Sequence, residues 1–525
     1  MTSPAPLLPP LDARRTWFES VRDRVVSDPA RNRMLTWLAP ALVTVLAGVL
    51  RLVKLAHPHE IMFDETYYVK DAWSLWQHGY ESKWGDDADA QLTDGDDAAL
   101  KTAGSFVVHP PLGKWIIALG MALFGPGSSF GWRITTAILG TLTVLLVYLI
   151  VRRLLGSRTL ATIAAGLLAI DGLGIVMSRI ALLDGILTFF ILLGFLFALL
   201  DRERTLPLLA AIRAGEVDLA TGPMNGPMNG PVLWSRPWLV AAGLALGAAS
   251  AVKWSGLYAL AAVGLYAVVT DALARRRAGV VLWPTDAAFR QGPASFVLLV
   301  GPALLVYLSS WTGWLLSSDG YDRGADPNPL MALWKYHEAI LGFHVGLVSG
   351  HPYASPAWQW PLLLRPTAIW VADDPAPCGT DHCIAVISSV PNPLIWYGGV
   401  AAALFLLYRF VRGLIDHASA GPAFTYPLVG LAATYVPWLM IPQRTIFQFY
   451  TIAMAPFLVI AIAIALRALA GAADAPLHRR QAGQRTIVVS LAVVVAVSAF
   501  YYPVWTGMSV PYPFWLIHNW MPGWI

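Results

Sequence analysis

Residues 131–151 read GWRITTAILGTLTVLLVYLIV and hold one charged side chain, Arg133, close to the start of the run. At a rise of 1.5 Å per residue, a helix of about twenty residues crosses the ~30 Å hydrocarbon core of a bilayer. Comparable apolar runs recur along the 525-residue chain. The stretch therefore predicts a membrane-spanning helix in a chain that crosses the membrane many times.

The composition agrees with a membrane protein. Hydrophobic residues make up 57% of the chain and charged residues 13%, whereas charged residues make up about 25% of a typical soluble domain. We predict an all-α polytopic membrane protein with about eleven transmembrane helices. The predicted spans are residues 35–53, 131–151, 159–177, 182–200, 237–253, 255–272, 294–311, 394–411, 425–441, 447–466 and 486–502.

The apolar run Leu112–Phe124 is too short to span the bilayer and predicts an interfacial helix on the outer surface. The distribution of charged residues tests the choice between eleven and twelve spans. With the N-terminus inside and eleven spans, the inner segments hold 23 of the 36 Lys and Arg residues but only 12 of the 32 Asp and Glu residues. This is the positive-inside pattern. A twelfth span would place Arg152 and Arg153 on the wrong side.

The predicted topology divides the chain into three parts. Residues 1–34 form a cytoplasmic tail without a removable signal peptide, and residues 35–466 form the transmembrane core with two large outer loops, 54–130 and 312–393. Residues 467–525 hold the last cytoplasmic loop, the final span and an outer C-terminal tail. The Gly-Pro-Met-Asn tandem within 221–231 predicts a flexible inner linker.

Both cysteines, Cys378 and Cys383, lie in the second predicted outer loop. An oxidising compartment permits a disulfide there, which is the favoured prediction. A zinc site that also uses His382 is the alternative, although two Cys and one His fall short of a full set of ligands.

Two adjacent carboxylates follow the first span. Residues 63–68 read FDETYY, and Asp64 and Glu65 precede a stretch, residues 66–76, whose apolar and aromatic side chains predict an interfacial helix. A carboxylate at a membrane surface is a candidate general base. The alternative is that both residues only cap the helix, because acidic side chains stabilise helix N-termini.

The predicted outer surface also carries candidate cations. An enzyme outside the cytoplasm has no nucleotide sugars, so a sugar donor there would be carried by a lipid, and a polyprenyl phosphate would need cations to hold the phosphate. Arg133, Arg179 and Lys253, which Trp254 follows, lie at the outer ends of predicted spans. Each is a candidate phosphate or sugar contact or, alternatively, a membrane anchor.

Asp184 is unusual because it lies in an apolar span, where an ionisable side chain is costly and is usually paired or functional. A buried ion pair with Arg179 is the structural alternative to a functional role.

Aromatic and polar side chains alternate in the second predicted outer loop, where residues 351–361 read HPYASPAWQWP. Aromatic faces pack against the C–H surfaces of sugars, so this segment is a candidate sugar or acceptor groove. The alternative is an interfacial aromatic belt. Arg365 and Arg444 add positive charge nearby. The candidate groove residues are His351, Tyr353, Trp358, Trp360 and Arg444.

Five motifs in this order resemble those of the protein O-mannosyltransferases, a family of type C membrane glycosyltransferases. They are Asp64-Glu65 and residues 109–114 (HPPLGK), 178–184 (SRIALLD), 253–256 (KWSG) and 351–361. The resemblance covers nearly the whole chain. It is closer to a bacterial, actinobacterial-type member, since the second loop is too short for the β-trefoil domain of eukaryotic members and Phe449-Tyr450 replaces their His-Tyr pair.

The resemblance implies a helical bundle with an active site at the outer face of the plasma membrane and polyprenyl-phosphate mannose as donor. It places the catalytic acid at Asp64, with Glu65 beside it, and an essential arginine at Arg133. Through their motifs, His109 and Lys114 are also expected at the donor site, together with the residues noted above: Arg179, Asp184, Lys253 and Trp254.

We therefore expect an inverting mannosyltransferase that modifies Ser or Thr of secreted polypeptides. Asp64 would deprotonate the acceptor, and Arg133, with Lys253 or Arg179, would neutralise the lipid phosphate. The chain has no Gly-rich phosphate loop or Rossmann fingerprint, and we expect no cofactor and no nucleic acid partner, while a metal requirement stays open. The alternatives are a lipid-donor glycosyltransferase that acts on a cell-wall glycan or glycolipid, and a transporter, which would show repeat symmetry and mid-membrane charges.

Overall fold

The computed structural model describes residues 15–213, 229–416 and 421–524. Most of these residues are helical. The α-helices are α1 (Trp17–Ser27), α2 (Pro29–Leu52), α3 (Glu65–His78), α4 (Ala88–Thr93), α5 (Leu112–Phe124), α6 (Ser129–Leu155), α7 (Arg158–Ala169), α8 (Gly172–Val176), α9 (Leu183–Arg213), α10 (Pro237–Val252), α11 (Gly256–Arg277), α12 (Trp283–Thr285), α13 (Gly292–Ser310), α14 (Thr312–Leu316), α15 (Pro329–Gly346), α16 (Pro393–Ile415), α17 (Pro422–Leu439), α18 (Ala455–Ala470), α19 (Leu477–Thr506) and α20 (Tyr512–Leu516).

Within the described residues, six short strands form three two-stranded antiparallel sheets, in the pairs β1–β2, β3–β5 and β4–β6. All of them lie in the segments predicted to be outside the membrane. The strands are β1 (Ser82–Trp84), β2 (Leu100–Gly104), β3 (Ala368–Val371), β4 (Cys383–Ile384), β5 (Val386–Ser388) and β6 (Val510–Pro511).

The prediction of a polytopic helical membrane protein is confirmed. Within the described residues, seven helices are long and apolar enough to cross a bilayer, and each of the eleven predicted spans overlaps a helix. The number of crossings stays a prediction, because some of the helices that overlap predicted spans, namely α7, α10 and α18, are shorter than a full span. The seven long helices are α2, α6, α9, α11, the continuous α12–α13 segment, α16 and α19.

The segments between the helices collect at two opposite ends of the bundle. At one end, which we call the loop face, Gly104 N donates to Asp319 O (3.0 Å) and strand β4 pairs with β6 of the C-terminal tail. At the other, which we call the arginine face, Arg480 pairs with Glu19 (2.6 Å). The charge pattern predicts the same two groups of segments.

The predicted third span, residues 159–177, is wrong in its extent. Helix α7 ends at Ala169, and the chain continues through the short α8 and an irregular stretch before α9. Non-helical backbone inside a bundle needs partners for its polar groups. Arg51 donates to the carbonyl oxygens of Leu168 (3.2 Å) and Ala169 (3.0 Å), while the Asp171 carboxylate caps α8 at Gly174 N (3.1 Å).

Two helices of the first loop match their predictions closely. Helix α3 extends the predicted 66–76 stretch at both ends and stops at Gly79, whose φ of 83° is in the left-handed region. Helix α5 has the predicted bounds and packs tightly on α6, where a Cβ at Gly120 would lie 2.1 Å from Gly131 O. Only glycine allows the two helices to approach this closely. The inner linker predicted at 221–231 lies mostly outside the described residues.

Candidate active site

Asp64 lies at a sharp turn before helix α3. The preceding residue, Phe63, has a φ of 52°, and Asp64 occupies the N-cap position without accepting a cap hydrogen bond. Its side chain makes no hydrogen bond to any other described residue, so Asp64 does not cap the helix through a side-chain hydrogen bond. The pKa of Asp64 is raised to about 6, chiefly by burial. The positive charge of Lys253 lowers this pKa, and the negative charge of Asp184 raises it. The carboxylate is half-buried, and its oxygens are free to accept a proton.

Glu65 is engaged completely. Its side chain is fully buried and forms a two-pronged ion pair with Arg133, at 2.8 Å from Nε to Oε1 and 2.8 Å from Nη2 to Oε2. It also accepts from Ala181 N (2.9 Å) and Met62 N (3.2 Å). Glu65 therefore ties the Asp64 turn to α6 and to the irregular stretch before α9.

Arg133 is equally committed. Besides Glu65, its guanidinium donates to Pro58 O (2.6 Å) and Glu60 O (2.8 Å), and its side chain is fully buried. The sequence predicts a phosphate contact at this position. In the structure, the Arg133 guanidinium instead donates to two carbonyl oxygens and to the Glu65 carboxylate.

The predicted Arg179–Asp184 ion pair does not form. Asp184 pairs with Lys253 Nζ, at 2.9 Å and 3.1 Å from its two oxygens. Arg179 instead donates to the carbonyl oxygens of Arg51 (3.0 Å), Val53 (2.8 Å) and Lys54 (3.0 Å) at the end of α2. The irregular stretch turns Arg179 toward these carbonyls, so its side chain closes the end of helix α2.

Lys253 directly follows α10, and its positive charge lowers the pKa of Asp64. Its Nζ lies 4.1 Å from the centre of the Tyr450 ring. Trp254 donates from Nε1 to Tyr307 Oη (2.9 Å) and stacks on His337. The KWSG motif thus places a cation and an aromatic wall at the loop face.

His109 packs between Tyr68 and His344, with ring centres 6.2 Å and 5.4 Å away. Burial and nearby cations, chiefly Lys253, lower the pKa of His109 well below its usual value. Lys114 donates to His109 O (3.1 Å), pairs with buried Glu81 and is itself almost fully buried. Lys114 therefore positions a neutral His109 and does not face the site.

The aromatic segment of the second loop separates into two groups. Trp360 is fully buried and packs on Trp438 and Tyr450, with ring centres 6.0 Å and 6.5 Å away. Trp358 is 57% exposed. Trp360 therefore supports the wall that carries Tyr450, whereas Trp358 lies on the surface.

His351 and Tyr353 make different ring contacts. The His351 ring lies 4.9 Å from Phe447, which in turn contacts Phe63 (6.4 Å). Tyr353 packs under the Arg365 guanidinium, 5.1 Å away. The Phe447 ring thus lies between His351 and Phe63 of the turn, and the Tyr353 ring lies 6.1 Å from that of His351.

Arg444 brings a second cation to the site. Its Nη2 lies 3.0 Å from His344 Nδ1, and its guanidinium lies 5.7 Å from the centre of the Trp438 ring. The His344 Nε2 atom contacts Val108 O (2.9 Å), and burial lowers the pKa of His344 to about 4. His344 is therefore neutral at physiological pH, with Nε2 donating and Nδ1 accepting.

Tyr68, His344 and Tyr450 join the site although sequence reasoning did not select them as site residues. Tyr68 lies one helical turn after Asp64 on α3, so a search for polar residues at i+4 would have found it. His344 comes from α15 and Tyr450 from the segment before α18. No local pattern indicates that these two residues reach the same point.

Cys378 and Cys383 form a disulfide, with their sulfur atoms 1.98 Å apart, so neither thiol is free for the alternative zinc site. Within the described ranges, no group of three or more His, Cys, Asp or Glu side chains lies together as a metal site would require.

Comparisons with known proteins bear on this geometry. Residues 41–208 match the family model described as dolichyl-phosphate-mannose-protein mannosyltransferase. Residues 329–524 match the C-terminal four-transmembrane region of protein O-mannosyltransferase. The two matches together include the Asp64 turn, Arg133, Asp184, His344 and Tyr450.

Full-length relatives and a solved structure agree. The chain is 33% identical to the polyprenol-phosphate-mannose–protein mannosyltransferase of Mycobacterium tuberculosis, over 94% of this chain and 92% of the relative. It is 31% identical to the protein of the same name from Corynebacterium glutamicum, over 92% and 91%.

The fold matches the Saccharomyces cerevisiae Pmt1–Pmt2 complex with a TM-score of 0.69 at 16% identity, covering 93% of this chain and 92% of that one. The chain therefore belongs to the protein O-mannosyltransferase family, whose relatives of this length are membrane enzymes named for a polyprenol-phosphate-mannose donor.

Proposed function

We propose that this chain transfers mannose from polyprenyl-phosphate mannose to Ser or Thr hydroxyls of secreted polypeptides at the outer face of the plasma membrane, with Asp64 as the general base. The observation that carries the base assignment is the half-buried Asp64 carboxylate. It has no hydrogen-bond partner among the described residues, and its pKa is raised to about 6. Such a group is mostly ionised at neutral pH yet basic enough to take a proton.

The reaction is a single displacement. Asp64 accepts the proton of the acceptor hydroxyl while the oxygen attacks C1 of the mannose. The bond between C1 and the phosphate oxygen breaks, and polyprenyl phosphate leaves with the bonding electrons. Attack from the side opposite the leaving group inverts the configuration at C1.

Lys253 and Arg444 supply positive charge for the leaving phosphate. Lys253 lies against the Tyr450 ring and is paired with Asp184, and Arg444 contacts His344, which stacks on His109. The Arg133 guanidinium is occupied by Glu65 and two carbonyl oxygens. Preorganised cations stabilise the charge that develops on the phosphate. Neutral His109 and the rings of Tyr68 and Tyr450 form the wall against which the sugar packs.

A transfer assay tests this function. Purified protein in nanodiscs receives synthetic polyprenyl-phosphate β-mannose and a Thr-containing peptide, with a Thr→Val peptide as control and with or without a chelator. We expect an α-mannosyl-threonine product from the Thr peptide alone. Transfer to a glycan acceptor but not to the peptide would contradict the proposal and favour the glycan-modifying alternative.

The orientation is a second part of the proposal. The N-terminal tail and the arginine face are cytoplasmic, and the loop face with the C-terminal tail is outside, as the positive-inside pattern supports. After mild reduction of intact cells, a membrane-impermeant thiol reagent is expected to label Cys378 and Cys383. A cysteine introduced by Ser157→Cys in a cysteine-free background should stay unlabelled. The reverse pattern would place the site in the cytoplasm.

A further inference from the structure

The segment that carries His109 lacks backbone partners of its own. Residues 106–110 connect strand β2 to helix α5 and are neither helix nor strand. Their N–H and C=O groups pair with no backbone group of another described residue. A buried backbone group without a partner costs about as much as a lost hydrogen bond, so such groups are almost always paired. In this segment, side chains supply the partners.

Tyr336 of helix α15 binds Val107 at both of its backbone groups. The Tyr336 Oη atom accepts a hydrogen bond from Val107 N (2.9 Å) and donates one to Val107 O (3.2 Å). Tyr336 is only 1% exposed. The phenol therefore has almost no surface that a substrate could touch, and its two hydrogen bonds fix a residue two positions before His109.

The next two carbonyl groups are held in the same way. His344 donates from Nε2 to Val108 O (2.9 Å), and Lys114 donates from Nζ to His109 O (3.1 Å). Three consecutive residues are thus each bound by a side chain. Two of these side chains, Tyr336 and His344, come from helix α15 of the second loop, so α15 sets the path of the segment.

The position of the His109 ring depends on this path. The ring packs between Tyr68 and His344, and its Nδ1 atom is buried without a hydrogen-bond partner in the part of the chain that the structure describes. At Nδ1, no hydrogen bond anchors the ring. Packing and the bound backbone therefore decide where the ring lies.

Tyr336 itself is firmly supported. Its ring packs on those of Trp311 and Tyr321, with ring centres 5.7 Å and 5.2 Å away. The first loop touches this part of the second loop directly, because a Cβ at Gly313 would lie 2.0 Å from Gly79 O. Only glycine allows this approach. The two loops are therefore packed without a gap, and a fixed Tyr336 fixes the segment bound to it.

We propose that Tyr336 is a positioning residue for mannose transfer, whose phenol holds Val107 so that the His109 ring lies where the sugar packs. The inference rests on the proposed function, in which His109 is part of the wall of the sugar site. Tyr336 acts through His109 and does not contact the substrate.

A double-mutant cycle in the peptide transfer assay tests this role. Tyr336→Phe removes the hydroxyl and keeps the ring that packs in the cluster. Tyr321→Phe is the matched control, because it makes the same change in the same cluster at a hydroxyl without a hydrogen bond to another described residue. Both are made in the wild type and in His109→Ala, and kcat and the KM for the donor are measured per folded molecule.

We expect Tyr336→Phe to lower kcat/KM by about 10- to 100-fold, because a misplacement of about 1 Å at a site can cost that much. Tyr321→Phe should stay near the wild type. In the His109→Ala background, Tyr336→Phe should cause little further loss, since residues that act through one another are not additive. Tyr336→Phe and His109→Ala should also change the same parameter, kcat or KM.

Equal losses from Tyr336→Phe in both backgrounds, with transfer by the wild type, would overturn this inference alone and make Tyr336 a purely structural residue. No peptide transfer by the wild type would overturn the proposed function and this inference with it. Should Tyr336→Phe fail to fold, 4-aminophenylalanine at residue 336 takes its place in the same cycle. Its amino group still donates to Val107 O but accepts only weakly from Val107 N, so the same outcomes decide.

Discussion

The two ends of the helical bundle use buried charges in opposite ways. At the arginine face, Arg236 pairs with both Asp201 and Asp271 (2.6 Å) and donates to Ser295 Oγ (3.0 Å). At the loop face, Asp64 is half-buried, has a raised pKa and makes no hydrogen bond to another described residue. A satisfied network holds structure together, whereas an unsatisfied carboxylate beside cations is available for chemistry.

The largest expected effect comes from removing the base. Asp64→Asn keeps the size of the side chain but loses its proton affinity, and general-base catalysis contributes about 10²- to 10⁴-fold in rate. We expect turnover to fall by that factor while the thermal unfolding temperature and donor binding stay unchanged. Asp373→Asn, the same substitution at an exposed aspartate on the loop face, is the control. If Asp64→Asn kept a turnover near that of the wild type, Asp64 would not be the base, and the proposed functional difference between the two ends of the bundle would be wrong.

Arg133 belongs to the loop face but resembles the arginine face in being fully paired. Arg133→Met leaves the Glu65 carboxylate buried without its partner, which costs about 3–5 kcal/mol of unfolding free energy. We expect activity and thermal stability to fall together, since the Asp64 turn loses its support. An unchanged unfolding temperature with a raised KM for the donor would instead make Arg133 a phosphate contact, as the sequence predicts.

The arginine face should respond in stability alone. Arg236→Met leaves Asp201 and Asp271 buried together and is expected to cost about 3–5 kcal/mol of unfolding free energy, with kcat unchanged in the folded fraction.

The smallest effect is expected for Arg153→Gln, which removes an exposed ion pair with Glu203 worth at most about 1 kcal/mol. Denaturation followed by tryptophan fluorescence, with turnover measured per folded molecule, separates the two. A lowered kcat for folded Arg236→Met would show that this end also contributes to catalysis.

The sequence predicts most of the fold because the thickness of the bilayer sets the length of an apolar run. Helices α3 and α5 were predictable for the same reason, since their apolar runs are too short to span. The break between α7 and α9 has a local signal that our prediction did not use, because Asp171-Gly172 is a dipeptide typical of turns and Gly174 follows it. What the sequence does not show is the partner of the helix end, since Arg51, which is distant in sequence, donates to the carbonyl oxygens of Leu168 and Ala169 at the end of α7.

The candidate active site likewise has a part that the sequence predicts and a part that it does not. Asp64 was identified from its position after the first span, because a carboxylate pair at a membrane surface is uncommon. The partner of Asp184 was assigned wrongly, since Arg179 is near in sequence while Lys253 is near in space. The choice between them is made by the irregular stretch that turns Arg179 away, and the direction of this stretch has no local signature.

The most direct test is the pH dependence of kcat/KM for transfer to the Thr peptide, which reports ionisations of the free enzyme. Because the proposed mechanism requires the ionised form of Asp64, activity should be lost as pH falls through about 6 and should level off above it. Lys253→Met removes the cation that lowers this pKa, so any remaining activity should show its midpoint at a higher pH. A profile that stays level well below pH 6 in the wild type, or a midpoint that Lys253→Met does not move, would contradict Asp64 as the base.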